Sequence, residues 1–301
     1  MNKNTPKDMR LAALRRFAAA ITALTIIGLW LLGFEEAYAY VFVSLAAGYF
    51  MDLVLETLEA WTNGRKARYQ GGFVAFVNFL LPAHISSLAI AMLLYPNEQL
   101  WPIAFASALA GGSKYIFRLK IGPKVRHFLN PSNTGIAITL ILFPWVSIAP
   151  PYQYTENFSG ALDWLLPIIF IIFGTLLNAV YARRIPLIGA WLSAFALQAV
   201  LRAWFFETPV LAELEMMTGV AFLLFTFYMI EDPGTTPFKP LNQIVFGISV
   251  AVAYAILMML HIVFGLFFAL FAVCILRGMY LYLSAYHERK LVHDSGNPQT
   301  L

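Results

Sequence analysis

Residues 127–137 read HFLNPSNTGIA, a polar segment that opens a short apolar stretch ending at Phe143-Pro144. Five consecutive residues within it, 130–134, are polar or disfavour a helix interior, although long apolar stretches lie on both sides. Inside a lipid bilayer, backbone that is not helical must be buried in protein or line a cavity, because lipid offers no hydrogen-bond partners. The segment therefore predicts a broken membrane helix at Asn130-Pro131, and such breaks are typical of binding sites.

A second polar segment of the same kind, EDPGTTPFKP, occupies residues 231–240. It predicts another broken helix at Asp232-Pro233. We expect the two segments to meet in space. Asp232 has two interpretations, since its carboxylate could cap the helix that follows or could face a shared cavity.

The composition places the chain among membrane proteins. Hydrophobic residues make up 60% of the 301 residues and charged residues only 12%, against roughly a quarter charged in soluble proteins, and the mean hydropathy is +0.71. The single cysteine, Cys274, excludes a disulfide framework and any cysteine-ligated cluster supplied by this chain alone. The basic N-terminus precedes an apolar stretch without a convincing cleavage site, so that stretch is expected to be retained as a span.

A membrane span needs ~20 largely apolar residues. Stretches that approach this length predict an all-α protein with ten transmembrane helices, which would divide into two inverted five-helix halves. The predicted spans are 17–34, 38–58, 72–95, 101–117, 132–146, 163–182, 186–206, 214–230, 241–260 and 262–283.

Lys and Arg predict the orientation of these spans. With a cytoplasmic N-terminus, every basic residue except Arg202 falls on the cytoplasmic side, as the positive-inside rule requires. We therefore expect a bacterial inner-membrane protein with both termini cytoplasmic: a basic N-terminus (1–16), a membrane domain (17–283) and a disordered tail (284–301). The basic pI of about 9.1 is then a topology signal and argues against nucleic-acid binding.

Ionisable residues inside the predicted spans are functional hypotheses, because a charge in a membrane is costly. Asp52, Glu56 and Glu59 share one helix face at i, i+4 and i+7. Glu56 and Glu59 could equally be ion-pair partners of the basic residues in segment 65–68.

His84 could be a ligand or a hydrogen-bonded packing residue, and the second interpretation is the more common one. His127, beside Asn130, is the stronger candidate. The basic loop 114–126, which contains Lys114 and Arg118, precedes the predicted helix start at Asn130. Basic residues beside a helix N-terminus form an anion site, which would suit a phosphate, a ribityl chain or an anionic lipid, although orientation alone also explains them.

Several segments resemble, in the same order, those of the RnfD/NqrB family, the flavin-carrying membrane subunits of ion-pumping electron-transport complexes. The resemblance spans roughly residues 40–255, and stand-alone RnfD-like relatives, including those associated with enediyne biosynthesis, look most similar. The matching segments are MDLVLE (51–56), FLLPAH (79–84), FLNPSNTG (128–135) with Phe143-Pro144, RIP (184–186) and YMIEDPGTTP (228–237).

The resemblance implies a flavin, either FMN or riboflavin, in electron transfer. In the family, FMN is esterified to a threonine, but here Leu162 stands at the corresponding position of NFSGALD (157–163), so we expect non-covalent flavin. The residues expected to bind it are Asn130, Pro131, Asn133, Thr134, Gly135, Asp232, Pro233, Thr235, Thr236, Lys114 and Arg118, with Asp52, Glu56, His84 and His127 as further candidates.

Motifs of soluble catalysis, such as GxGxxG, the Walker motif or HExxH, are absent from the sequence. The expected function is thus electron transfer across or along the membrane, to a quinone or a flavoprotein partner, without catalytic machinery of its own. Two alternatives remain: a transporter or channel for a small polar solute, and a membrane scaffold that docks a redox or biosynthetic partner.

Overall fold

A computed structural model describes residues 6–34, 36–121, 124–149, 160–161, 168, 171–172, 174–175, 184–232 and 234–295 of the chain. Helices dominate these residues, with two short sheets. The helices are α1 (Pro6–Ile27, continued by a π-helical turn Gly28–Leu32), α2 (Tyr38–Thr62), α3 (Phe73–Leu93), α4 (Trp101–Ile116), α5 (Pro131–Leu142), α6 (Ile185–Phe206), α7 (Val210–Glu215), α8 (Val220–Leu224, continued by a π-helical turn Phe225–Met229), α9 (Pro240–Met259) and α10 (Gly265–Ser295).

Both sheets are antiparallel pairs of short strands. Strand β1 (Leu94–Tyr95) pairs with β4 (Ser147–Ile148), which joins the end of α3 to the chain after α5. Strands β2 (Arg118–Ile121) and β3 (Lys124–His127) form a hairpin in which Arg118 lies opposite His127. The hairpin therefore leads the chain from α4 directly into the polar segment at Asn130.

Within the described residues, six helices are long and apolar enough to cross a membrane, so this is an all-α multi-pass membrane protein. They are Leu11–Leu31, Tyr38–Thr62, Phe73–Leu93, Ile185–Phe206, Pro240–Met259 and Gly265–His287. The pair Val210–Thr218 and Ala221–Met229, bent by 64°, makes a seventh if it is counted as one span.

The prediction of ten spans, and with it two five-helix halves, is therefore corrected to six or seven in the described part of the chain. Helices α4 and α5 have 16 and 12 residues. At 1.5 Å per residue they measure about 24 and 18 Å, less than the ~30 Å hydrocarbon core. The predicted span 163–182 lies almost entirely outside the described residues.

Close backbone contacts position the short helices. Gly135 of α5 packs so tightly on α4 that a Cβ there would lie 2.3 Å from the Ala106 carbonyl oxygen. Helix α5 also contacts α10, while α6 packs along α9. The start of α5 is thus enclosed by protein on several sides, where its polar residues can find partners.

The helical part of the chain extends beyond the predicted membrane domain 17–283 at both ends. Helix α1 begins at Pro6 and α10 continues to Ser295.

Candidate functional site

The polar segment at Asn130 is the N-terminus of α5. Asn130 has an extended backbone (φ −67°, ψ 124°), and its Oδ1 accepts hydrogen bonds from the Asn133 N–H at 2.9 Å and the Ser132 hydroxyl at 3.0 Å. Pro131 occupies the first helical turn, where its missing N–H costs nothing. Asn130 is therefore an N-cap, and the helix is entered from the β2–β3 hairpin. The predicted broken helix is corrected to a short helix that starts inside the protein.

The two polar segments meet, as predicted. Asn130 Nδ2 donates to the Met229 carbonyl at 2.7 Å, and His127 Nε2 lies 3.1 Å from Asp232 Oδ2. The His127 ring is so close to Gly234 that a Cβ there would lie 2.0 Å from Nε2. We call residues 127–134 and 229–237 together the polar junction.

The second segment of the junction folds as a tight turn held by arginines. The N–H groups of Thr235 and Thr236 donate to the Asp232 carbonyl at 3.1 and 3.0 Å, and both hydroxyls reach the same oxygen. Arg184 donates to the Pro237 carbonyl and Arg277 to the Thr235 carbonyl. Two guanidinium groups from α10 and the start of α6 thus clamp the turn. Pro233 lies outside the described residues.

Neighbouring carboxyl groups in this turn have opposite electrostatics. Burial raises the pKa of Asp232, but the hydrogen bond and charge of His127 and the Gly234 N–H lower it more, and the net pKa lies below its ordinary value. Glu231 is only 3% exposed, and neither of its carboxyl oxygens has a hydrogen-bond partner among the described residues. Burial raises the pKa of Glu231 well above its ordinary value, against the opposing charge of Arg184.

Three buried groups at the junction keep unused hydrogen-bonding capacity. They are Asn133 Oδ1, Arg184 Nε and both oxygens of Glu231. Asn133 Nδ2 donates a hydrogen bond to the Phe267 carbonyl at 3.0 Å. Sequence reasoning missed Glu231 and Arg184, although both stand in motifs that it singled out, because their burial depends on helices distant in the chain.

Other predicted ligands at the junction are used by the fold. The Thr134 hydroxyl donates to the Asn130 carbonyl at 2.6 Å, Gly135 supplies the close contact with α4, and the Thr235 and Thr236 hydroxyls bind backbone. Of the predicted side chains at the junction that the structure describes, Asn133 has the clearest remaining capacity.

Lys114 and Arg118 both lie in ion pairs. Lys114 Nζ lies 2.6 Å from Asp52 Oδ2, and Arg118 is ion-paired with Glu59. These cations are therefore ion-paired with carboxylates of α2, and their role in binding a ligand stays a prediction. The physical reason for the ion pairs is that α4 packs along the acidic face of α2.

Glu56 is completely buried and paired with Arg65 at 2.6 Å and Arg68 at 2.5 Å. The interpretation of Glu56 and Glu59 as ion-pair partners of segment 65–68 is confirmed, since Glu59 also lies 2.9 Å from Arg65.

His84 is hydrogen-bonded through both ring nitrogens. Nε2 lies 2.7 Å from the Thr22 hydroxyl and Nδ1 2.5 Å from the Tyr49 hydroxyl. Thr22 donates to the Ala18 carbonyl, so it accepts from His84 Nε2–H and Tyr49 donates to Nδ1. His84 therefore joins α1, α2 and α3 as a packing residue.

Leu162, expected at the position of the family's flavin-bearing threonine, lies outside the described residues. The chain matches no protein-family model and no curated protein.

Proposed function

We propose that the chain is an RnfD/NqrB-like membrane protein that takes part in flavin-dependent electron transfer and holds a flavin non-covalently at the polar junction. The observation that carries the proposal is the contact between the Asn-Pro and Asp-Pro segments. These are the two most distinctive segments of the resemblance, and they bind each other through Asn130 and His127.

The unused groups of the junction suit the polar edge of a flavin ring. That edge presents one N–H donor between two carbonyl acceptors. Asn133 Oδ1 could accept from the donor, and Arg184 Nε could donate to an acceptor. Both atoms are buried without a partner, and a ligand that satisfied them would relieve about 1–3 kcal/mol for each.

The phosphate of FMN is less well served, because Lys114 and Arg118 are ion-paired with α2. We therefore propose riboflavin ahead of FMN.

When bound, the flavin would supply the redox chemistry, and the protein would supply position and electrostatics. Arg184 and Arg277 hold positive charge beside the turn at Asp232, which favours a ligand that gains electrons. The contacts of α5 with α4 and α10 would shield a bound flavin from water. A quinone in the bilayer or a flavoprotein at the cytoplasmic face would exchange the electrons, in a bacterial inner membrane.

A transporter or channel for a small polar solute is the second candidate. It is favoured by the buried ion pair Lys114–Asp52 inside the bundle, which leaves Asp52 Oδ1 without a partner, because intramembrane charges often mark solute pathways. A colourless protein that made liposomes permeable to a solute would support it. A colourless protein that did not make liposomes permeable would leave the membrane scaffold as the remaining interpretation.

The first test is a near-ultraviolet and visible absorption spectrum of detergent-purified protein, followed by acid precipitation. We expect a flavin spectrum, with the fluorescence in the supernatant. Flavin in the pellet would contradict non-covalent binding, and no flavin under several expression conditions would contradict the proposal.

A matched pair of variants then locates the site. Asn133→Leu removes the unused acceptor and should lower the flavin-to-protein ratio several-fold. Thr139→Val is the control, because the Thr139 hydroxyl binds only the Gly135 carbonyl within α5. Equal flavin content in both variants would place the flavin elsewhere.

A further inference from the structure

A cleft of about 540 Å³ opens at the end of the bundle where α2 and α4 begin and α3 ends. Its walls come from the chain before α2, the first turn of α2 and the loop after α3, and they combine carboxyl groups with aromatic rings: Glu36, Tyr38, Tyr40, Tyr95 and Glu98. The cleft is distinct from the polar junction, because the length of α4, about 24 Å, lies between it and the β2–β3 hairpin.

Glu36 is the unusual member of this wall. It is 5% exposed, and neither carboxyl oxygen has a hydrogen-bond partner in the part of the chain that the structure describes. A buried ionised carboxylate without a partner is strongly unfavourable. The group therefore needs either a proton or a cation that the described residues do not supply.

The part of the chain that the structure describes offers little to neutralise Glu36 here. The described residues that connect the helix ends around the cleft, in 33–34, 36–37, 94–100 and 143–149, contain two glutamates and no Lys, Arg or His. Arg202 is the exception to the cytoplasmic placement of basic residues, and it is ion-paired with Glu213. Among the described residues, the cleft end thus carries more negative than positive charge.

The aromatic wall is held in a defined arrangement. The hydroxyl of Tyr40, itself only 2% exposed, accepts a hydrogen bond from the Glu98 N–H at 3.1 Å. Asn97 and Glu98 both adopt left-handed backbone conformations, with φ of 48° and 65°. Two such residues in succession are costly and persist only where the surroundings hold them. Tyr38, which is 57% exposed, leaves one side of the cleft accessible.

We propose that this cleft binds a small organic cation, an alkylammonium or quaternary ammonium group, whose charge is paired with Glu36. Carboxylates and tyrosine faces together are the usual environment for such groups, because ring faces attract cations that are weakly hydrated. A bare alkali ion would need several oxygen ligands to replace its hydration shell, and rings do not supply them. The site is independent of the flavin proposal.

The test is isothermal titration of the detergent-purified full chain with tetramethylammonium chloride and with n-butylammonium chloride, against sodium chloride at equal ionic strength. We expect saturable binding of at least one ammonium salt and none of sodium. Glu36→Gln should weaken that binding at least tenfold without changing flavin content.

Glu207→Gln is the matched control, since it removes an exposed carboxylate from another helix end and should leave the affinity unchanged. Tyr38→Ala is a second variant, which tests the site even if Glu36→Gln does not fold. Because Tyr38 is on the surface, its substitution should not disturb folding. It should weaken binding several-fold.

If neither ammonium salt binds, the proposal is overturned and Glu36 is a protonated buried acid. Equal binding of sodium, or affinity that survives Glu36→Gln, would overturn it as well.

Discussion

Glu231 and Asp232 are adjacent and chemically similar, yet the fold treats them in opposite ways. Asp232 is hydrogen-bonded to His127, and the pKa of Asp232 lies below its ordinary value despite burial. Glu231 has no hydrogen-bond partner among the described residues, and burial raises its pKa. Of these two adjacent residues, Asp232 therefore stabilises the junction at neutral pH and Glu231 destabilises it.

The sign of this effect gives a prediction. Because the folded state raises the pKa of Glu231, its stabilising contribution is complete below the ordinary value of 4.5 and is lost as the pH rises through the folded pKa. Glu231→Gln should therefore raise the Tm at neutral pH, by about 2–4 °C for each kcal/mol relieved, and should raise it much less below pH 4.5. Thermal unfolding in detergent at several pH values measures this.

Asp232→Asn provides the opposite control. Its lowered pKa stabilises the folded state above the ordinary value and loses that effect as the pH falls through the folded pKa, so the variant should be less stable at neutral pH. A loss of neutral-pH stability in Glu231→Gln would show instead that Glu231 is ionised and paired.

At the scale of elements, the position of α5 depends on its approach to α4. A Cβ at Gly135 would meet the Ala106 carbonyl oxygen at 2.3 Å and its carbon at 3.1 Å, and backbone atoms cannot move aside as a flexible side chain can. The two helices, and the polar junction at the start of α5, are therefore positioned by one missing methyl group.

Gly135→Ala should destabilise the protein by about 1–3 kcal/mol through overpacking and should also reduce the flavin content. Gly112→Ala on α4 is the matched control, because a Cβ there meets nothing within 4 Å, and it should be neutral or stabilising by about 0.4–1 kcal/mol. Thermal unfolding of both variants checks this, and equal stability would contradict the close approach of α4 and α5.

At the scale of the whole molecule, the charge distribution predicts which side of the membrane each end faces. Cys274 is buried, so single cysteines can be introduced in a Cys274→Ser background at exposed loop positions. Gln99→Cys, at the cleft end, should react with an impermeant maleimide in intact cells. Lys66→Cys, in the loop after α2, should react only after permeabilisation, and the reverse pattern would overturn the orientation.

Much of the fold was readable from local signals. Apolar stretches predicted α2, α3, α6 and α9, and their observed bounds differ from the predicted ones only at the ends, because the membrane requirement acts on each helix by itself. Asn130-Pro131 is a helix start by the chemistry of two adjacent residues. The prediction that α4 and α5 are full membrane spans was wrong, because an apolar stretch indicates hydrophobicity but does not indicate whether the helix is long enough to cross the bilayer.

The sequence by itself determined that this is a multi-pass helical membrane protein with polar interruptions at Asn130 and Asp232, because composition, cap chemistry and backbone hydrogen bonding are properties of short stretches. Only the tertiary structure decided which charges meet. It paired Lys114 and Arg118 with α2, and it bound the Asp-Pro turn with Arg184 and Arg277. It left Glu36 and Glu231 without hydrogen-bond partners among the described residues. The reason is physical: an ion pair or a buried orphan depends on which helices pack side by side, and that arrangement belongs to the whole chain.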